Sequence, residues 1–169
     1  LSPAQRENHP ARFALAELVN LHSPALQFKP VHRILTGVSP EELSAAFGQW
    51  LAARGMGLES GNDIVFLRDE VRRGYRITGA GDRLPIALVQ PFLDNFRKLH
   101  PACGIDYIHG DEVLARLARE TGGCGILLPP ISKSSLFPGI RAGGVLPRKT
   151  FSMGEAQEKR YYFECRKIL

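Results

Sequence analysis

Between residues 28 and 128, short apolar runs bounded by turn residues alternate with longer stretches whose apolar positions recur at helical spacing. That alternation confines the chain to folds that pack helices on a sheet. FKPVHRIL (28–35) reads as extended. Pro30 holds Lys29 out of the α region, so the segment is expected at the edge of a sheet. Ser39-Pro40-Glu41-Glu42 joins a capping hydroxyl, a proline suited to the first helical position and a glutamate that completes a capping box. Leu43, Phe47, Trp50 and Leu51 then share a face, and Gly55 and Gly57 end the helix. Residues 63–68 and 74–78 predict a strand pair around the charged turn 69–73.

A second helix is expected over about 88–99, with Phe92, Phe96 and Leu99 on one side and Pro101 closing it. IDYIH (105–109) is a strand, and Asp111 is expected to cap the helix DEVLARLARET, which Gly122-Gly123 stops. GILL (125–128) is a short apolar strand before Pro129-Pro130. A short helix interrupted by Pro138-Gly139 follows around 134–141, then a Gly/Pro-rich loop over 143–154 and a strand, KRYYFECRKI, over 159–168. Residues 11–21 fit helix or strand equally on periodicity. The expected class is α/β or α+β: a single domain over 1–169, built as a mixed sheet with helices packed on it.

At 169 residues the chain is long enough for one proper core. No run approaches the roughly 20 apolar residues that span a bilayer, and the opening LSPAQRENHP has no apolar signal region. It starts on Leu1, which reads as a piece of something longer. Cys103, Cys124 and Cys165 are odd in number and show no C-x-x-C spacing, which argues against a disulfide framework or zinc site and for a reducing cytoplasm with buried thiols. His9, His22, His32, His100 and His109 lack metal-ligand spacing, so no metal is expected. Gly144–Thr150 ends in Lys-Thr but lacks the second glycine of a phosphate-binding P-loop. Gly55-Met56-Gly57 follows a helix and so is no dinucleotide fingerprint. With no H-E-x-x-H or G-x-S-x-G either, the sequence names no reaction.

Charge is more informative. Residues 141–169 hold seven Lys or Arg against three acids, whereas residues 1–140 hold 15 against 14. A local basic excess favours an anionic partner, with a solvated surface as the plain alternative. Within it, Arg148 and Lys149 bring cationic donors, Thr150 and Ser152 bring hydroxyls, and Gly154 permits a positive φ, a combination that predicts an anion cradle over 147–154. The competing reading is a solvated loop with a structural glycine.

Three further sets are candidates to line a site. His32-Arg33 pairs a proton-transfer group with an anion clamp, although strand alternation puts the two on opposite faces; one buried and one solvated side chain is the plainer expectation. Glu17 and Asn20 interrupt an apolar run, where a buried charge would need Arg12 or Arg33 as a partner. Asp106 and His109 lie on IDYIH, where a simple turn explains them equally well.

HPARFALAELVNLHSPALQFKPVHRIL (9–35), GIDYIHGDEV (104–113) and LPRKTFSMGEAQEKRYYFECRKI (146–168) together resemble the C-terminal half of the bacterial and archaeal family called domain of unknown function 1015. The resemblance implies that 11–21 is a strand and that intact members are about twice this length. It also implies that their N-terminal half carries an Asp-Gly-His/Asn-His type motif, distantly similar to ParB-like and sulfiredoxin-like folds, some relatives of which bind nucleotides or are free-serine kinases. That motif is absent here. The partners so implied are the N-terminal half of the intact protein and a phosphate-bearing small molecule or nucleotide, with a nucleotide as the one cofactor to consider in the full-length protein. Nucleic acid ranks lower, because Tyr161, Tyr162 and Phe163 are consecutive and cannot form one stacking platform along a strand. A structural or oligomerisation module is the non-binding alternative.

Overall fold

The computed structural model describes residues 2–7, 9, 16 and 18–154. The expected strand over 159–168, the cations beyond Lys149, most of 11–21 and Glu17 therefore lie outside the described residues. After a short helix α1 (Pro3–Glu7) the order is β1 (Phe28–Leu35), α2 (Pro40–Ala52), β2 (Gly57–Arg68), β3 (Val71–Thr78), α3 (Pro85–Leu99), β4 (Ile105–His109), α4 (Asp111–Thr121), β5 (Cys124–Leu127), α5 (Lys133–Gly143) and β6 (Phe151–Met153).

The sheet runs β3-β2-β5-β1-β4, with β6 pairing the start of β1. Helices lie on a sheet in one domain, as the alternation predicts. Its expected mixed character is corrected: every pairing among the described residues is antiparallel. The reason lies in the crossovers. β1 and β2 run parallel, joined through α2, but β5 occupies the slot between them; β4 and β5 likewise run parallel through α4 with β1 between them. Each β-α-β unit is thus split by one strand, and parallel strands never become neighbours. The same insertion corrects the edge placement of β1, which has neighbours on both sides. Pro30 is accommodated because it faces only the β6 end, opposite Phe151, while pairing with β4 begins at Val31.

Strand alternation divides the core in two. Leu35, Ile64, Phe66 and Ile126 face α2 and α3, meeting Leu43, Phe47, Leu51, Val89, Phe92 and Leu93. Ile34, Leu67, Ile108 and Leu127 face α4, meeting Leu114 and Ala118. The capping box at α2 forms as expected, with Ser39 Oγ accepting from Glu42 N–H at 3.1 Å and Glu42 Oε2 accepting from Ser39 N–H at 3.0 Å. The cap of α4 is a correction: Gly110, at φ 87°, holds that position, and Asp111 is the first helical residue. At the far end, Gly139 of α5 packs on Leu84 so closely that a Cβ there would sit 2.5 Å from Leu84 Cγ. Gly143, one turn on, faces Ala87. This pair of glycines lets α5 lie directly against the start of α3.

Candidate functional site

The centre of interest is the ring of Tyr107 on β4, which sits directly across from Arg33 on β1. The Arg33 guanidinium carbon lies 4.8 Å from that ring's centroid, Lys149 Nζ 4.8 Å and the Arg148 guanidinium carbon 5.8 Å. Three cations so gathered about one aromatic ring are each attracted by its electron-rich faces, by about 0.5–1 kcal/mol where exposed. The Tyr107 hydroxyl is buried and has no hydrogen-bond partner among the described residues.

Arg33 is fully buried, and each of its three side-chain nitrogens has an acceptor. Its Nε donates to Gln90 Oε1 of α3 at 3.0 Å, one terminal nitrogen to the carbonyl of Val31 at 2.5 Å, and the other to the carbonyl of Arg148 at 3.3 Å. Gln90 passes the interaction on, donating to Asp94 Oδ1 at 2.9 Å. Burial pulls the guanidinium down to about 10, while Tyr107 and Asp94 oppose that and Arg148 adds to it. It remains charged at neutral pH. Its role is to anchor the 147–150 turn to the sheet rather than to clamp a ligand.

His32 points to the other face. Its Nδ1 accepts the Leu128 N–H at 3.1 Å, so Nε2 carries the proton and donates it to Asp111 Oδ1 at 2.9 Å. Burial is the main cause that lowers its pKa, against the Asp111 carboxylate, which raises it. His32 joins the ends of β1, β5 and α4 and does not line the clefts around the 147–154 loop. The expected pairing of His32 with that loop is corrected; Arg33 alone reaches it, because neighbours on a strand face opposite ways.

The loop does not close into a single cradle. Thr150 and Ser152 are buried, and their hydroxyls donate within the loop, to the carbonyls of Pro147 at 2.5 Å and Gly154 at 3.4 Å. Gly154 takes a positive φ of 70°, as expected of it, but so does Lys149 at 53°, a conformation that L side chains rarely adopt. The turn fans consecutive side chains into three concavities. Arg148 borders a shallow one of about 450 Å³ with Asp94, Arg97 and Lys98. Lys149 borders one of about 410 Å³ with Val31, Tyr107, His109 and Phe151. Thr150 borders a deeper cleft of about 470 Å³ between α3 and α5. Arg148 and Lys149 are exposed and enter no ion pair among the described residues.

The other candidates fall elsewhere. Asn20 is exposed, and its Oδ1 accepts from the backbone N–H of His22 at 2.9 Å. Asp106 Oδ1 accepts from the Tyr107 N–H at 2.7 Å, whereas His109 shares the concavity of Lys149. The residues missed at the sequence level are Tyr107 and Gln90, whose signal is tertiary: each matters because of what folds against Arg33. Cys103 and Cys124 are buried thiols as expected, and burial pushes Cys124 up to about 12, far from a nucleophile's range. Among the described residues no group of His, Cys, Asp and Glu is arranged to hold a metal, and no helix is long and apolar enough to cross a membrane.

No curated protein matches the chain. Among solved structures it is similar to a conserved hypothetical protein from Pyrococcus furiosus, at 13% identity and a TM-score of 0.54, over 83% of this chain and 61% of that one. It is similar too to a free serine kinase variant in complex with AMP, at 14% identity and a TM-score of 0.54, over 82% of this chain and 58% of that one. At such identities the likeness is one of fold, and the chain spans about three fifths of the length of each. The family model that matches covers residues 2–132, which takes in His32, Arg33 and Tyr107 and stops short of the 146–168 stretch. Most of the chain is thereby accounted for, and it belongs to the family described as protein of unknown function DUF1015.

Proposed function

We propose that this chain supplies a phosphate-binding surface to a longer nucleotide-handling protein, with Arg148 and Lys149 as the groups that meet the phosphate. The observation that carries the proposal is the gathering of both side chains at the Tyr107 ring, on a turn that the buried Arg33 ties to the sheet. Two exposed cations held together by a rigid base neutralise a multiply charged ligand better than two mobile ones, because less side-chain freedom is lost on binding. The left-handed backbone at Lys149 supports the same reading, since such strain is retained where a side chain must be aimed. The similar fold of a free serine kinase bound to AMP is consistent with a nucleotide as the ligand class.

In the intact protein the N-terminal half is the partner that would supply the reacting groups. Calorimetry with ATP, ADP, AMP and pyrophosphate tests this on the present chain and on the longer protein. Binding should weaken by about tenfold for each cation removed in Arg148→Ala and Lys149→Ala, a loss on the scale of one charge-assisted contact. Affinity unchanged in the double variant, or no binding by either form of the protein, overturns the proposal. Binding of duplex DNA with a steep salt dependence in place of nucleotide would shift the reading to a nucleic-acid module.

A further inference from the structure

The cleft of about 470 Å³ that Thr150 borders is distinct from the concavities of Arg148 and Lys149. It is open enough to admit a small molecule and has the mixed lining that such sites share. Its apolar wall is Leu84, Ile86, Leu128, Ile131 and Pro138. Its polar wall comes from two places that the topology brings together. β3 and β5 run parallel with β2 between them, so both deliver their following helices from the same end of the sheet. Between β3 and α3 lies Gly79-Ala80-Gly81-Asp82-Arg83, with Gly79 and Gly81 at positive φ. α3 then begins with no side chain capping its first turn; Pro85 has no N–H and the Ala87 N–H donates to the Leu84 carbonyl at 2.9 Å, which leaves the Ile86 N–H. Opposite, Ser132 caps α5, and the cleft is lined there by Ser134 and Ser135, whose hydroxyls bond to Ser132. Gly139 against Leu84 seats the middle of α5 on the start of α3.

We infer that this cleft binds a small organic oxyanion, a phosphate monoester or carboxylate whose apolar body lies on Leu128 and Ile131. The Arg83 side chain, the Ser134 hydroxyl and the Ile86 amide at the start of α3 would meet the charged group. The Ile86 N–H suits an oxyanion for two reasons: it has no partner within the helix, and the helix dipole favours negative charge there. Asp82, at the rim, disfavours a ligand carrying several negative charges and so separates this cleft from the Arg148–Lys149 surface.

An amide NMR titration of the protein with phenyl phosphate, benzoate, inorganic phosphate and acetate distinguishes the possibilities. The expected result is that phenyl phosphate or benzoate shifts the amides of Ile86, Ser134 and Ser135, while the matching small anion binds at least tenfold more weakly. The stronger of the two aromatic probes identifies the head group. Arg83→Ala, a change at an exposed side chain, should weaken that binding by about tenfold. The Arg148→Ala, Lys149→Ala double variant should leave it intact, so that failure of one proposal does not carry the other. Absence of shifts at these amides, equal binding of inorganic phosphate and phenyl phosphate, or loss of binding in the double variant overturns the inference.

Discussion

At the scale of single residues, His32 and Arg33 show how one dipeptide serves two interiors. Both are buried, yet each meets its partners on a different face of the sheet. His32 is held neutral, because a proton on Nδ1 would displace the Leu128 N–H that this nitrogen accepts. Its pKa in the fold lies below 6.5, so between that lowered value and 6.5 the unfolded chain binds the extra proton. Stability contributed by His32 is therefore complete above pH 6.5 and lost as pH falls toward the folded value. Thermal unfolding followed from pH 7.5 to 5 should show the midpoint dropping below pH 6.5. In His32→Ala the midpoint should start lower, by about 1–3 kcal/mol of lost hydrogen bonding, and that part of the pH slope should vanish. A slope unchanged in the variant would assign the acid sensitivity to other groups. Neither partner of His32 was legible in the sequence, because Asp111 and Leu128 are brought to it only by the sheet. That the two neighbours face apart was legible, since it follows from strand geometry alone.

Secondary elements with local causes were the most readable. The capping box at α2 needs only residues 39–42, and the stop of α4 at Gly122, in the left-handed conformation, needs only that glycine. β1 was read at the right residues and in the wrong place, because Pro30 speaks for an edge and only the short partner β6 lets an interior strand keep it. The 147–154 loop was legible as a set of donors but not as a geometry: Thr150 and Ser152 spend their hydroxyls on carbonyls two or three residues away, which no composition argument reveals. The contact of α5 with α3 was missed for the same reason, since Gly139 reads locally as a helix breaker. It works instead as a spacer. Gly139→Ala would place a methyl 2.5–3.0 Å from three atoms of Leu84, itself buried. Overpacking of that kind costs about 1–3 kcal/mol. The variant should melt earlier in calorimetry and should lose phenyl phosphate binding while retaining nucleotide binding at Arg148 and Lys149. A melting point equal to that of the parent would mean that α5 shifts freely on α3.

On the scale of the molecule, the alternation of strands and helices disclosed the layers but not the interleaving. Nothing local says that β5 lies between β1 and β2, or that β1 lies between β4 and β5; that order is settled by which apolar faces the finished sheet can bury. The interleaving has a consequence for how the protein comes into being. As the chain leaves the ribosome from its N-terminal end, β1 and β2 emerge early with the slot between them vacant, and each presents an unsatisfied edge to any strand nearby. The hairpin of β2 and β3 forms at once from neighbours in sequence, but the sheet is joined only when residues 124–127 arrive and zip both sides together. A chain ending at Gly123 should accordingly melt without a cooperative transition, and supplying residues 124–169 as a second polypeptide should restore one. Since the strand that closes the sheet leads straight into Leu128 and Ile131, the apolar floor of the cleft between α3 and α5 is laid in the same event that seals the edges. A half-made copy thus offers a chaperone sticky margins before it has a floor to its cleft.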